Sequence, residues 1–452
     1  MNIAEPPIGS IAQSVAEPFA DLFNRISSRE AHVTVIGQGY VGLPLAVGFA
    51  AAGFEVSGLD TNNRVVNNLN SGKSSTPDVA DSELAELQGT GKYQATVDFS
   101  VLSGSDVILV CVPTPLRKSK DPDISFILAT AERMVENLRR GQLIILESTT
   151  YPGTTEELLL PMLESTGFKA GKDFFLAFSP ERIDPGNPNY GVRDIPKVTG
   201  GVTAECTKLA ALLYRQIVKK VVEVASPRVA ELSKLYENVF RSVNIALANE
   251  FALMCRHLGV NSREVIDAAA SKPFGFMAFY PGPGIGGHCI PVDPSYLAWK
   301  MRFNNYQARF IPLAEEINQA MPAHVVKLVG DALNQRKLCI NGARITALGV
   351  AYKKNVGDIR ESPALQIISM LVRKGAIVRY ADPHVPSVEI DGSVLRRIQA
   401  TDNELKTSDC VLILTDHTSF DYQNIIDNCA LIVDTRDATW GMESKPDQVV
   451  RI

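Results

Sequence analysis

His32-Val33-Thr34-Val35-Ile36-Gly37-Gln38-Gly39-Tyr40-Val41-Gly42-Leu43-Pro44 decides how the first half of the chain folds. A short apolar strand runs straight into three glycines spaced G-x-G-x-x-G. At such a turn one glycine makes the tight bend, one lets the backbone approach a pyrophosphate, and one lets the following helix pack on the strand. A helix then extends to Ala52, Gly53 stops it, and a second strand, Glu55 to Leu59, ends at Asp60. That carboxylate stands 23 residues after Gly37, where an acid accepts hydrogen bonds from an adenosine ribose. A glycine triad alone fits a structural βα turn equally well. The ordered series of strand, turn, helix, stop, strand and acid points to a bound dinucleotide, with Gly37, Gly39, Tyr40, Val41 and Gly42 along its phosphates. Asp60 would repel a 2′-phosphate and so favours NAD, although Arg64 could pair with that phosphate instead; NAD is the expected cofactor.

The βα alternation continues downstream. Asp106 to Val112 is an apolar strand ending in Pro113-Thr114-Pro115, Gln142 to Leu146 ends in Glu147-Ser148-Thr149-Thr150, and Phe174 to Phe178 runs into Ser179-Pro180-Glu181-Arg182. Ligands of an open parallel sheet sit beyond the carboxyl ends of its strands, which is where these polar turns fall. Helix capping explains the Thr and Ser residues as well, and the two roles are compatible.

At 452 residues the chain is long enough for two to four domains. Its 45% hydrophobic and 21% charged residues are those of a globular protein, and a formal charge of -5 gives no general attraction to nucleic acid or anionic membrane. The seven cysteines form no CxxC pair, which speaks against a disulfide framework or a zinc site and for reduced thiols in the cytoplasm; no metal is expected. Met1 to Glu30 has no secretory pattern, and with Pro6, Pro7 and Pro18 ahead of Asp21 to Ile26 it reads as a loose arm bearing a short helix. No apolar run is long enough to span a bilayer.

Ser226-Pro227 reads as the cap and first residue of a helix that Gly259 stops, about 48 Å long at ~1.5 Å per residue. So long a helix reads as a spine between domains and a surface for a second copy of the chain. Lys234 and Asn238, four apart, share a face beside Leu235 and Val239; they mark either a site or a snorkelling lysine over a solvated amide. Further on, Tyr280-Pro281-Gly282-Pro283-Gly284-Ile285-Gly286-Gly287-His288-Cys289-Ile290-Pro291-Val292-Asp293-Pro294 holds too many breakers for a helix or central strand. Such a stiff loop can hold one thiol in a fixed geometry, or simply be a surface loop with an incidental cysteine. The βα rhythm restarts at strand Ile345 to Gly349, followed by a turn with Lys353, Lys354 and Arg360, a helix from Pro363 to Lys374 stopped by Gly375, and strands Ala376 to Tyr380, Cys410 to Leu414 and Ala430 to Val433, the last leading to Arg436. The fold class is thus α/β, with two Rossmann-like doubly wound parallel-sheet domains joined by a long helix and a small helical domain. Basic side chains at a strand's carboxyl end suit a diphosphate, against the plainer reading of a solvated turn.

Taken together, Gly37 to Pro44, Thr114, Glu147 to Thr154, Glu181, the Lys234/Asn238 helix, the Gly286 to Asp293 loop and Lys353 to Pro363 resemble the UDP-glucose/UDP-mannuronate dehydrogenase family over essentially everything after residue 30. The resemblance implies a 1–30 arm, a 31–224 NAD-binding Rossmann domain, a 225–325 central helical dimerisation domain and a 326–452 UDP-sugar-binding domain. It implies NAD-dependent oxidation of a sugar C6 alcohol to a carboxylate, with Cys289 as nucleophile and Asp293, Lys234, Asn238, Glu181 and Thr149 as catalytic partners. Thr114, Thr149 and Arg360 would join the cofactor site. Glu181, Arg182, Lys234, Asn238, Tyr280, Gly286, Lys353, Lys354 and Arg436 would meet the nucleotide sugar. UDP-glucose members usually carry Lys where this chain has Val292; with Lys272 to Phe276 and Tyr280 to Gly284, this resembles the UDP-N-acetylhexosamine branch, UDP-N-acetylglucosamine 6-dehydrogenases in particular. The product would feed surface polysaccharide or lipopolysaccharide synthesis, and the assembly would be a homodimer or a higher oligomer. The gluco, galacto and manno epimers stay open. A two-electron β-hydroxyacid dehydrogenase shares the Rossmann domain and a lysine but has no use for the cysteine or the second sheet. An inactive nucleotide-sugar-binding regulator would have no use for the intact set Cys289, Asp293, Lys234 and Asn238.

Overall fold

A computed structural model describes residues 9–76, 78–117, 121–183, 191, 193–287 and 289–452, for 9–16 the backbone alone. Pro6 and Pro7 of the leader and His288 of the cysteine loop lie outside the described residues. The chain divides into two compact units, Met1–Tyr236 and Glu237–Ile452. The division falls inside the helix Pro227–Leu258, which runs its expected length. Segment 225–325, expected as a domain, is therefore shared between the units. Its later part belongs with the second core, to which the helix Phe310–Gln335 contributes Val325, Val326, Leu328, Val329, Ala332 and Leu333.

The first unit is built on eight strands: β1 His32–Ile36, β2 Glu55–Leu59, β3 Tyr93–Thr96, β4 Val107–Val110, β5 Leu143–Leu146, β6 Phe175–Phe178, β7 Lys197–Gly201 and β8 Val221–Glu223, in the order β3-β2-β1-β4-β5-β6-β7-β8. β1 and β2 have the expected ends; β5 and β6 end where expected but begin one residue later, and β4 also begins one residue later and stops at Val110, two residues short. Pairing is parallel except that β7 runs antiparallel to β6. Successive strand residues point to opposite faces. Leu109, Ile145 and Phe175 enter one core while Ile108, Ile144 and Leu176 enter the other, which is why these strands are apolar at every position. The order reverses between β1 and β4, and the Gly37 turn lies there.

From residue 9 on, the N-terminal segment is not a loose arm with a six-residue helix. It forms a continuous helix, Gly9–Ser28, running through Pro18. Phe19, Leu22 and Ile26 recur at helical spacing; Leu22 and Ile26 are buried in the first core, and the Phe19 ring lies 6.1 Å from that of Phe175. Arg25 pairs with the buried carboxylate of Asp106, which also takes Arg139 at 2.7 Å and the His32 N–H at 2.8 Å. That apolar stripe, with its ion pair, outweighs the prolines.

The second unit carries a five-stranded parallel sheet, β10-β9-β13-β14-β15, made of β9 Arg344–Leu348, β10 Ile377–Ala381, β13 Cys410–Ile413, β14 Ile432–Asp434 and β15 Val449–Arg451, with a hairpin of β11 Ser387–Ile390 and β12 Ser393–Arg396 inserted after β10. Among the described residues no helix is long and apolar enough to cross a membrane.

Candidate active site

The turn after β1 has the geometry its glycines were assigned. Gly37 has φ +90°, and a Cβ there would fall 2.6 Å from the Cys111 carbonyl oxygen. A Cβ on Gly42 would fall 1.8 Å from Gly37 O, so the helix Gly42–Ala51 starts against the turn only because Gly42 has no side chain. At Gly39 an added Cβ would meet nothing within 4 Å: the backbone lies open there, as a cradle for a ligand's phosphates must. Asp60 accepts from Gln38 N and from Asn62 N, both at 2.9 Å, tying the end of β2 to the glycine turn. Tyr40 is exposed beside Val41 on the rim. Arg64 opens the helix Asn63–Asn70, where its N–H is capped by Asn62, and its side chain is in solvent. The turn fits a dinucleotide.

At the carboxyl ends of β4, β5 and β6 sit Thr114, Thr149 and Glu181. Lys234 Nζ donates to Thr149 Oγ1, joining the central helix to the turn after β5. One helical turn earlier, the buried Glu231 accepts from the Thr155 N–H at 3.0 Å, from Thr155 Oγ1 at 2.8 Å and from the Gly153 N–H, so the same helix clamps the far end of that loop. Glu181 Oε1 accepts the N–H groups of Arg182 and Ile183 at 2.6 and 2.7 Å, and its Oε2 accepts from Lys197 Nζ at 3.1 Å. Arg182 Nη1 is turned to the Pro196 carbonyl at 2.7 Å. Lys197 and Glu231 were missed in the sequence: β7 reads Lys-Val-Thr-Gly-Gly, which carries no strong strand signal, and nothing local marks either charge as buried.

In the second unit the cysteine loop ends in the helix Asp293–Phe303. Cys289 O accepts from the N–H groups of Val292 at 3.0 Å and Asp293 at 2.8 Å, so the half-buried thiol sits on the turn that opens this helix. Asn238 Nδ2 donates to Asp293 Oδ2 at 2.6 Å. Gly286 and Gly287 allow the loop to lie against the basic turn after β9: a Cβ on Gly286 would fall 2.7 Å from Tyr352 Cβ, and Gly287 N donates to Arg360 O at 3.0 Å. Lys353 is half-buried and Lys354 exposed on that turn. Arg436 donates through Nε to Leu414 O at 3.0 Å, and an added Cβ on Gly282 would fall 2.8 Å from its Nη1, so its guanidinium braces the cysteine loop. Two expected ligand groups are engaged elsewhere. Arg360 holds Asp358 with Nη2 at 2.6 Å and Nε at 3.0 Å, and Tyr280 donates to Asp267 at 2.7 Å under the Arg263 guanidinium. A cavity of about 610 Å³ beside the loop is bordered by Ile290, Pro291, Asn318, Glu315 and Glu361. Its two carboxylates make it a poor place for a diphosphate.

Three family descriptions match the chain in order: the NAD binding domain of the UDP-glucose/GDP-mannose dehydrogenase family over residues 31–218, the central domain over 228–320 and the UDP binding domain over 346–440. The chain belongs to the UDP-glucose/GDP-mannose dehydrogenase family. A UDP-N-acetyl-D-mannosamine dehydrogenase of Pyrococcus horikoshii is 37% identical over 392 residues, 86% of this chain and 90% of that protein. A UDP-N-acetyl-D-glucosamine 6-dehydrogenase of Pseudomonas aeruginosa is 38% identical over 359 residues, 79% of this chain and 84% of that protein. The solved structure of the UDP-D-ManNAc dehydrogenase from Pyrococcus horikoshii superposes with a TM-score of 0.84 at 35% identity, over 93% of this chain and 99% of that one. This UDP-glucose/GDP-mannose dehydrogenase family member is thus an NAD-dependent UDP-sugar dehydrogenase, and the glycine turn and Asp60 are the part of it that fits NAD.

Proposed function

We propose that the protein oxidises the C6 hydroxyl of a UDP-N-acetylhexosamine to the uronic acid, with UDP-N-acetylglucosamine as its substrate, in the synthesis of a surface polysaccharide precursor. The observation that carries the sugar class is Val292 before Asp293, in place of the Lys of UDP-glucose enzymes, together with relatives named for N-acetylhexosamine substrates. UDP-N-acetylmannosamine is the second reading, favoured by the relative that matches the larger share of the chain.

NAD, when bound, supplies the acceptor for two hydrides per sugar; Gly37, Gly39, Tyr40, Val41, Gly42, Asp60, Thr114 and Thr149 are the residues that would hold it. Four-electron oxidation passes through an aldehyde that must not escape. The Cys289 thiolate adds to its carbonyl carbon, giving a thiohemiacetal; oxidation of that adduct gives a thioester, which water hydrolyses to the acid and the free thiol. The start of a helix favours negative charge, and the thiol sits on the turn that opens one. Asp293 moves the proton between water and the adduct. Lys234 and Asn238 stabilise the oxyanion, and Thr149, held by Lys234, and Glu181 place the water. Lys353 and Lys354 take the diphosphate. Incubating the protein with NAD and, in parallel, UDP-N-acetylglucosamine, UDP-N-acetylmannosamine, UDP-N-acetylgalactosamine and UDP-glucose tests this. Two NADH per UDP-N-acetylglucosamine are expected; one NADH, or faster turnover of another sugar, overturns the mechanism or the substrate respectively.

Leu232, Tyr236, Phe240, Leu247, Met254 and Leu258 lie exposed along the central helix, with Tyr236 at 71% and Leu258 at 77%. A second copy of the chain covers them in this reading, and sedimentation should show at least a dimer.

A further inference from the structure

Lys197 is an ammonium inside the protein, with 5% of its surface exposed. It stands on β7, which runs antiparallel to β6, and all three of its protons are used: Glu147 Oε2 at 2.6 Å, Glu181 Oε2 at 3.1 Å and the Pro180 carbonyl at 3.2 Å. The other oxygen of Glu147 takes the hydroxyl of Tyr214, itself fully buried, and Lys197 Nζ lies 5.2 Å from the centre of the Tyr214 ring. The Cys111 thiol and the Arg182 guanidinium are the other ionisable groups beside the cluster. Two buried carboxylates therefore share one lysine. An arrangement that only filled space would be replaced by apolar groups at little loss of stability, whereas this one leaves a buried negative charge next to the turn after β6.

We propose that Lys197 is a positioning residue for the reaction: with Glu147 and Tyr214 behind it, it fixes Glu181 as an ionised, immobile acceptor that orients water without itself taking the proton. The inference rests on the reading of Glu181 as a water-placing group. Geometry restricts the carboxylate from both sides, since Oε1 is filled by two backbone donors and Oε2 by the ammonium, leaving lone-pair room on Oε2 alone for a water. Burial would raise the Glu181 carboxyl, but Lys197 and the Ile183 and Arg182 N–H groups more than offset it and bring it below its ordinary value. Burial pushes Glu147 up despite the same lysine. Burial would also strip the proton from Lys197, and the two carboxylates hold it there. The division of labour follows: Glu147 answers the lysine's charge from behind, and Glu181 presents a fixed anion in front.

The test is the pH dependence of kcat in the full-length protein with NAD and the UDP-N-acetylhexosamine it turns over. Lys197→Met removes the positive charge, so the proton affinity of Glu181 rises and the acid limb of kcat moves up by about one pH unit or more. Glu147→Gln keeps the shape but removes a neighbouring negative charge, so the acid limb moves down. Opposite displacements support the proposal; an unmoved limb in Glu147→Gln, or displacement of both limbs in one direction, overturns it. Should Lys197→Met fail to fold, Glu147→Gln decides alone: an acid limb that moves down supports the proposal, and an unmoved or raised limb overturns it. Glu181→Gln with undiminished kcat removes the reading beneath the proposal; a slow Glu181→Gln beside unmoved limbs removes the proposal alone.

Discussion

Asn238 Nδ2 donates to Asp293 Oδ2 across 2.6 Å, with both side chains buried. The amide that interrupts the apolar face of the central helix and the carboxylate four residues past Cys289 thus act as one unit. Asp293→Asn should lower kcat about 10²- to 10⁴-fold by removing the proton carrier proposed above, with the NADH rate as the measurement. Asn238→Leu takes one donor from a buried carboxylate and should cost about 1–3 kcal/mol of stability in urea denaturation, in addition to slowing the reaction.

Gly39 and Gly42 should separate binding from folding. An Ala at 42 meets Gly37 O and forces the helix off the strand, so Gly42→Ala should lower the melting temperature. An Ala at 39 enters open space, so Gly39→Ala should melt as the wild type does while binding NAD at least about tenfold more weakly, read by titration.

The pH dependence of stability has a specific source in the second unit. Burial, with Asp434 nearby, raises Asp437 to about 6 despite Arg451. A carboxyl whose folded pKa is raised contributes stability that is full below the unfolded value, near 4, and lost as pH climbs through about 6. Asp437 has φ +51°, which asparagine also tolerates. Asp437→Asn should match the wild type near pH 4 and exceed it by roughly 1–2 kcal/mol at pH 7.5 in urea denaturation.

His417 is fully buried, with Nδ1 accepting from the Asn355 N–H at 2.9 Å and Nε2 donating to Asp382 at 3.1 Å. It fixes the end of the turn that carries Lys353 and Lys354. His417→Phe should raise KM for the UDP-sugar roughly tenfold while kcat changes little; equal loss in kcat would show that the turn serves chemistry and not grip.

What was legible in the sequence is what local pattern encodes. The Gly37 triad, the Gly53 stop and Asp60 fall where spacing puts them, as does the long helix from Pro227, because each is set by residues within a turn or two of itself. The Lys197 cluster joins positions 50 and 16 apart, and no periodicity reports such a partner. β7 reads Lys-Val-Thr-Gly-Gly, weak in strand formers, and is held by its neighbours in the sheet. The roles given to Tyr280 and Arg360 came from their places in the loops, whereas their hydroxyl and guanidinium are engaged by Asp267 and Asp358, acids whose side-chain directions sequence does not disclose.

The helix Gly9–Ser28 lies ahead of every matched family segment, yet it shields part of the first core and neutralises Asp106. A chain trimmed to begin at residue 31 would bare the apolar surface beneath Leu22 and Ile26, leave Arg139 alone to answer that aspartate, and tend to precipitate. The helix Gly9–Ser28 is therefore part of the enzyme's solubility, and any recombinant version should keep it.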